Sequence, residues 1–124
     1  MHNAATHENY KRYFHDLFYE DGSWQPFAAA VSRITKVCKD RNVPMVAVLF
    51  PIFTFPIDRN YPFIDIHAKI SQLFLEKGVP LLDLLESYHG LSPERLQVWP
   101  GKDSHPGEVA HRIAAERLYL WLVK

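Results

Sequence analysis

The residues best placed to do chemistry lie near the end of the chain, in the run Asp103-Ser104-His105-Pro106, followed by Gly107 and then His111. A loop histidine fixed by a following proline, just before a helix, can point its ring out of the C-terminal edge of a sheet. An aspartate two residues earlier can accept the Nδ1–H, set the tautomer and stabilise the imidazolium that forms when Nε2 takes a proton. The same spacing also suits a plainer arrangement, in which Asp103 or Ser104 caps a helix and His105 is a surface residue. A nucleophile is harder to find among Ser23, Ser32, Ser71, Ser87, Ser92 and Ser104. Ser32 and Ser71 fall inside expected helices, and Ser104 adjoins His105 in a way that makes Oγ–Nε2 geometry awkward. Ser23 follows Gly22 at a helix start, where backbone N–H groups can bind an oxyanion. It is the one nucleophile candidate, against a competing role as a helix cap. No Gly-x-Ser-x-Gly elbow is present. A metal site from Asp103, His105 and His111 lacks a His-x₃-His pair, a second cysteine and a glutamate placed as general base, so no metal or other cofactor is expected.

The elements that must position these residues follow from hydrophobic period. Residues 8–19 place Tyr10, Tyr13, Phe14, Leu17 and Phe18 on one aromatic helical face, ended by Asp21-Gly22. Residues 24–41 set Phe27, Ala30, Val31, Ile34, Val37 and Cys38 on one stripe, with Pro26 in the first turn. The period then changes. The continuous apolar run 44–50, ended by Pro51, predicts a strand buried on both faces. A helix over 63–77 turns Phe63, Ile66, Ile70, Leu73 and Phe74 inward, puts His67 near that stripe and stops at Gly78. Residues 79–85 give a second short strand, 91–100 read as irregular, and 106–122 form the last helix around Ala110, Ile113, Ala114, Leu118 and Trp121. The expected order is α-α-β-α-β-α. Between the first strand and the third helix, Phe53 and Phe55 lie where open α/β sheets bind ligands; they are candidate substrate-binding residues lining an acyl pocket, or else core cover.

Composition narrows the function classes. The 124 residues are 48% hydrophobic and 14% aromatic, which suits a packed domain. Fourteen basic residues balance fourteen acidic ones, so no nucleic-acid partner is expected. Cys38 stands alone, which excludes an internal disulfide and fits a reducing compartment. No segment reaches the roughly 18–20 apolar residues of a membrane span, and the start, with His2, Asn3, His7 and Glu8, does not read as a signal peptide. A cytoplasmic location is the expectation.

The run Trp99-Pro100-Gly101-Lys102-Asp103-Ser104-His105-Pro106-Gly107, continued by Glu108-Val109-Ala110-His111 and the Ala114-Ala115-Glu116 turn, resembles the closing block of the SGNH/GDSL hydrolases. That block reads Asp, one or two residues, His-Pro-Asn, a short gap, His, and an Ala-Glu-rich helix. The strand ending at Pro51, Tyr61-Pro62-Phe63, His67 and Val79-Pro80-Leu81-Leu82-Asp83-Leu84 resemble the last two strands and intervening helix of the same fold. The resemblance implies a flavodoxin-like, three-layer α/β/α domain with few parallel strands. It also implies an esterase or lipase activity on a small-molecule or lipid ester, with His105 as catalytic base and Asp103 as its orienting acid. Two departures stand out. Gly107 replaces the family's Asn, which reads as a capping difference. The Gly-Asp-Ser block that bears the nucleophile is missing, as are the Gly and the Gly-x-Asn-Asp block that supply oxyanion donors.

The sequence therefore predicts one truncated SGNH-type domain over 1–124, lacking the nucleophile-bearing part, whose serine is either non-standard or supplied by a partner. The alternative is a catalytically silent α/β fragment that self-associates or docks. Strand 44–50 has too few neighbours within the chain, which predicts a homodimer or a higher homo-oligomer.

Overall fold

The computed structural model describes residues 4–20 and 22–124, and in it helix accounts for 56% and strand for 11% of a mixed α/β chain. Among the described residues four long helices form close to where hydrophobic period places them, the first starting four residues earlier than expected. They are α1 (Ala4–Tyr19), α2 (Trp24–Asp40), α3 (Ile64–Glu76) and, skipping a single-turn α4 (Pro93–Leu96), α5 (Glu108–Leu122). Asp21, expected to help end the first helix, lies outside the described residues, as do His2 and Asn3.

The described residues also form a 3-10 turn at Glu86–Tyr88 and four short strands: β1 (Ala47–Leu49), β2 (Leu81–Asp83), β3 (Gln97–Trp99) and β4 (Asp103–Pro106). Strands β1 and β2 pair with each other, and β3 pairs with β4. The Ala47 N–H donates to the Pro80 carbonyl at 2.9 Å and the Leu84 N–H to the Leu49 carbonyl at 2.9 Å. Both bonds advance in the same sense along the two segments, so that pair is parallel.

The runs 44–50 and 79–85 thus shrink to three paired residues each. Two-sided burial is not realised in β1, whose residues are all half-buried, while Val46 just before it is 44% exposed. One hydrogen-bonded neighbour covers one edge and cannot bury both faces. The stretch expected to be irregular, 91–100, holds α4 and β3.

The chain divides into two compact units. One contains the described part of His2–Ala47 together with Phe63–Leu81. Its centre is α3, whose Ile66, His67, Ile70, Leu73 and Phe74 are buried as the helical stripe requires. Each of the four apolar side chains removed from water is worth about 1.5–3 kcal/mol. The helix ends in a Schellman arrangement, with the Val79 N–H on the Phe74 carbonyl at 2.9 Å and the Gly78 N–H on that of Leu75 at 3.1 Å. Helix α1 meets it through Phe14, whose ring lies edge-on to Phe63 at 5.5 Å. A polar clasp closes beside it, as the Tyr19 hydroxyl donates to Asp65 Oδ2 at 3.1 Å and His15 Nε2 lies 3.3 Å from Asp65 Oδ1. The stripe of α2 is only partly used. Val31 is buried, whereas Phe27, Ile34 and Val37 are 39%, 53% and 54% exposed.

The second unit joins Val48–Pro62 to Leu82–Lys124. Its core gathers Phe53, Leu84, Tyr88, Leu96 and Ala110, all 1% exposed or less. Tyr88 is the hub. Its ring meets Phe53 edge-on at 4.9 Å, and its hydroxyl donates to the Ala110 carbonyl of α5 at 2.6 Å.

Candidate catalytic site

All of the candidate dyad lies in the second unit, on a β-hairpin rather than in a loop. Trp99-Pro100-Gly101-Lys102 makes the turn, closed by the Lys102 N–H on the Trp99 carbonyl at 2.9 Å. Proline at its second position and Gly101 at its third, with φ of 73°, are the residues a type II turn demands. Strands β3 and β4 then run antiparallel, with Trp99 opposite Asp103 and Gln97 opposite Pro106. Between those two pairs β3 spends one residue, Val98, and β4 spends two, Ser104 and His105. This is a β-bulge, a device that re-aims side chains and recurs beside active sites.

The bulge sends Ser104 and His105 to different surroundings. Ser104 is half-buried, and its hydroxyl accepts a hydrogen bond from Thr54 at 3.0 Å. His105 projects into solvent, with its side chain 84% exposed. Asp103 binds it twice. One carboxylate oxygen, Oδ1, accepts the His105 backbone N–H at 3.0 Å and lies 2.5 Å from ring Nδ1. The backbone bond comes first and the imidazole bond second in holding the Asp103 carboxyl below the usual carboxylate range. An ionised Asp103 fixes the proton of neutral His105 on Nδ1, which leaves the Nε2 lone pair facing water.

Two residues hold the hairpin in place, of which sequence reasoning passed over the first. The Gln97 amide donates from Nε2 to the Phe53 carbonyl at 2.7 Å, and its Oε1 accepts the Gly101 N–H at 2.8 Å. One side chain thereby ties the turn to the 50–62 segment. Gly107 is the second. It precedes α5 with no side-chain cap, and a Cβ there would lie 2.7 Å from the Gln97 carbonyl oxygen. Glycine at this position is therefore a packing requirement. The signal for the hairpin was legible in principle: Pro100-Gly101 after the strand-forming pair Val98-Trp99.

The remaining candidates fall elsewhere. Along 51–57 burial alternates, with Pro51, Phe53, Phe55 and Ile57 inside and Ile52, Thr54 and Pro56 more open. Thr54 and the Phe53 carbonyl are gripped by Ser104 and Gln97, which fixes that alternation. Phe53 and Phe55, at 1% and 5% exposure, are therefore core residues with no open face. Ser23 belongs to the helical unit and not to the one that holds Asp103 and His105. It occupies the N-cap position of α2 with helical angles and no side-chain cap bond, so the capping role is not realised. Its carbonyl accepts the Phe27 N–H at 3.2 Å. His111 is exposed, with its ring 6.2 Å from that of Phe50, and His67 is buried in α3 as expected. Among the described residues no cluster of three His, Cys, Asp or Glu side chains could hold a metal ion, and no helix is long and apolar enough to cross a membrane.

No protein family, curated protein or solved structure matches this chain on comparison.

Proposed function

We propose that this chain is a carboxylic ester hydrolase of the SGNH/GDSL type, acting on a small-molecule or lipid ester through Asp103 and His105. One observation carries the reading: Asp103 Oδ1 lies 2.5 Å from His105 Nδ1 while the imidazole is 84% exposed. A histidine with one nitrogen committed to a carboxylate and the other open to solvent is what the acid–base half of a hydrolytic triad requires.

Nε2 takes the proton of a hydroxyl as its oxygen attacks the ester carbonyl. The imidazolium, stabilised by ionised Asp103, then returns that proton to the departing alkoxide, which leaves as the alcohol. If the hydroxyl is a serine, the acyl group stays on its Oγ until water repeats the two transfers; if it is water, the acid is released directly. The serine is non-standard or comes from a partner. Ser104 is unsuited, because its hydroxyl is engaged by Thr54.

Turnover of aryl esters, combined with fluorophosphonate labelling and peptide mapping, tests this. A labelled serine, on this chain or on a partner, names the nucleophile. His105→Ala should lower turnover by about 10²–10⁴-fold. Equal turnover in wild type and His105→Ala removes the mechanism.

The second reading, a silent self-associating fragment, has its own support. Phe27, Ile34 and Val37 leave an apolar strip on α2, and β1 is half-buried. Such area is disfavoured in water by roughly 25 cal/mol per Å². We expect a homodimer or a higher homo-oligomer under either reading. Light scattering on dilute protein decides this: a stable monomeric mass overturns it. Absence of both labelling and ester turnover in an oligomer would favour the silent fragment.

A further inference from the structure

The dyad has an aromatic neighbour that needs a reason. Trp99 is 64% exposed, although Trp is among the side chains with most to gain from leaving water. Its position is set by the hairpin and not by chance orientation of a loop. It is the cross-strand partner of Asp103, and directly opposed residues share a face, with Cβ atoms about 4.5–5.5 Å apart. Asp103 in turn binds His105 Nδ1. The indole therefore stands on the face that carries Asp103, one residue across from the acid–base pair.

That position is also held firmly. The Trp99 carbonyl closes the type II turn, and Gln97 fixes the turn through the Gly101 N–H. A flat apolar surface presented by a fixed backbone beside a proton-transfer group is suited to hold the apolar part of a substrate while its carbonyl faces Nε2.

We infer that Trp99 is a substrate-contacting residue that selects esters with an extended apolar acyl chain. The inference rests on the hydrolase reading and deepens it, naming the substrate class and the side chain that recognises it. The indole covers the chain, and the hydrocarbon leaves water by lying on it. Esters of acetate offer nothing for it to hold, whereas esters of octanoate do.

The test compares wild type, Trp99→Ala, Trp99→Phe and His105→Ala on aryl acetate and aryl octanoate, with nonyl methyl ketone as an unreactive carbonyl probe of binding. Trp99→Ala should raise KM for octanoate on the order of ten-fold or more, leave acetate nearly unchanged, and be largely rescued by Trp99→Phe. The ketone should perturb the Trp99 indole N–H resonance and spare those of Trp24 and Trp121. An unchanged octanoate-to-acetate preference in Trp99→Ala, with His105→Ala still inactive, overturns the Trp99 inference and leaves the hydrolase reading standing. Undiminished turnover in His105→Ala removes the hydrolase reading and the inference with it. If no ester is turned over, equal ketone affinity in wild type and Trp99→Ala overturns the inference. So does a fall in oligomeric mass in Trp99→Ala, which would place the indole in a protein interface.

Discussion

The position that a Gly107 side chain would occupy is taken by the Gln97 backbone: a Cβ there would lie 2.7 Å from the Gln97 carbonyl oxygen and 2.9 Å from its carbonyl carbon. The start of α5 and the strand β3 touch backbone to backbone, and only hydrogen fits between them. The Gly107 N–H donates to the Leu96 carbonyl at 2.8 Å, which locks the approach. Gly107→Ala should therefore destabilise the chain by about 1–3 kcal/mol, and Gly107→Asn by at least as much. Chemical denaturation measures the loss. A neutral result would mean that β3 moves aside, which should then appear as shifted amide resonances for Gln97 and Val98.

Ionisation of Asp103 offers a second check. Its folded-state pKa is lowered by the His105 backbone N–H and then by the imidazole, from an ordinary value of about 3.9. The ionised carboxylate thus contributes stability above that ordinary value, and the contribution disappears as pH falls through the lowered one. Carbon NMR of the Asp103 carboxyl should show a midpoint below the ordinary range. In His105→Ala the ring bond is lost and the backbone bond remains, so the midpoint should move up only part of the way. A midpoint that does not move would show that the imidazole gives Asp103 nothing.

Gln97→Ala should loosen the turn. It removes the acceptor for the Gly101 N–H and the donor to the Phe53 carbonyl, at a cost of about 1–3 kcal/mol. Hydrogen exchange at Gly101 should accelerate. Gln97→Glu keeps the acceptor and loses the donor, so Gly101 should stay protected in that variant while the 50–62 segment loosens. Equal protection of Gly101 in wild type and Gln97→Ala would show that the type II turn stands without its amide brace.

Tyr88 should govern alkaline stability of the second unit. Burial pushes its phenol up to about 12, against about 10 for an exposed tyrosine. The neutral phenol donates to the Ala110 carbonyl at 2.6 Å. Stability from this group is full below pH about 10 and is lost as pH rises toward the folded value, because the unfolded chain ionises first. Tyr88→Phe should cost about 0.5–1.5 kcal/mol at neutral pH and flatten the fall in stability above pH 10. Parallel alkaline denaturation curves for the two proteins would count against this role.

Helical period exposed most of the scaffold. The stripe of Ile66, Ile70, Leu73 and Phe74 is buried as its spacing requires. Helices α2 and α5 end within a residue or two of where their patterns place them. The strands were less legible, because an apolar run such as 44–50 records what a strand is fit for, while the length that pairs depends on how many neighbours it finds. The α2 stripe shows the same limit from the other side: Phe27, Ile34 and Val37 form a regular apolar face, yet little within the chain covers it. The Asp103–His105 pair was visible because its geometry is local. Its setting was not, since Asp103-Ser104-His105-Pro106 has no strand-forming bias and becomes a strand by pairing with β3.

The locality of that pair has a consequence for folding. Every bond that defines it spans two residues, and the turn beneath it spans four. Such contacts close on the hairpin timescale of about 1–10 μs. The Thr54–Ser104 bond and the Gln97–Phe53 bond must instead wait for segments fifty and forty-four positions apart to meet, a slower search. The Asp103–His105 contact can thus close before those longer-range bonds form, and the core decides where it points. Damage to the distant core would leave a chain that still contains the pair but has lost its address.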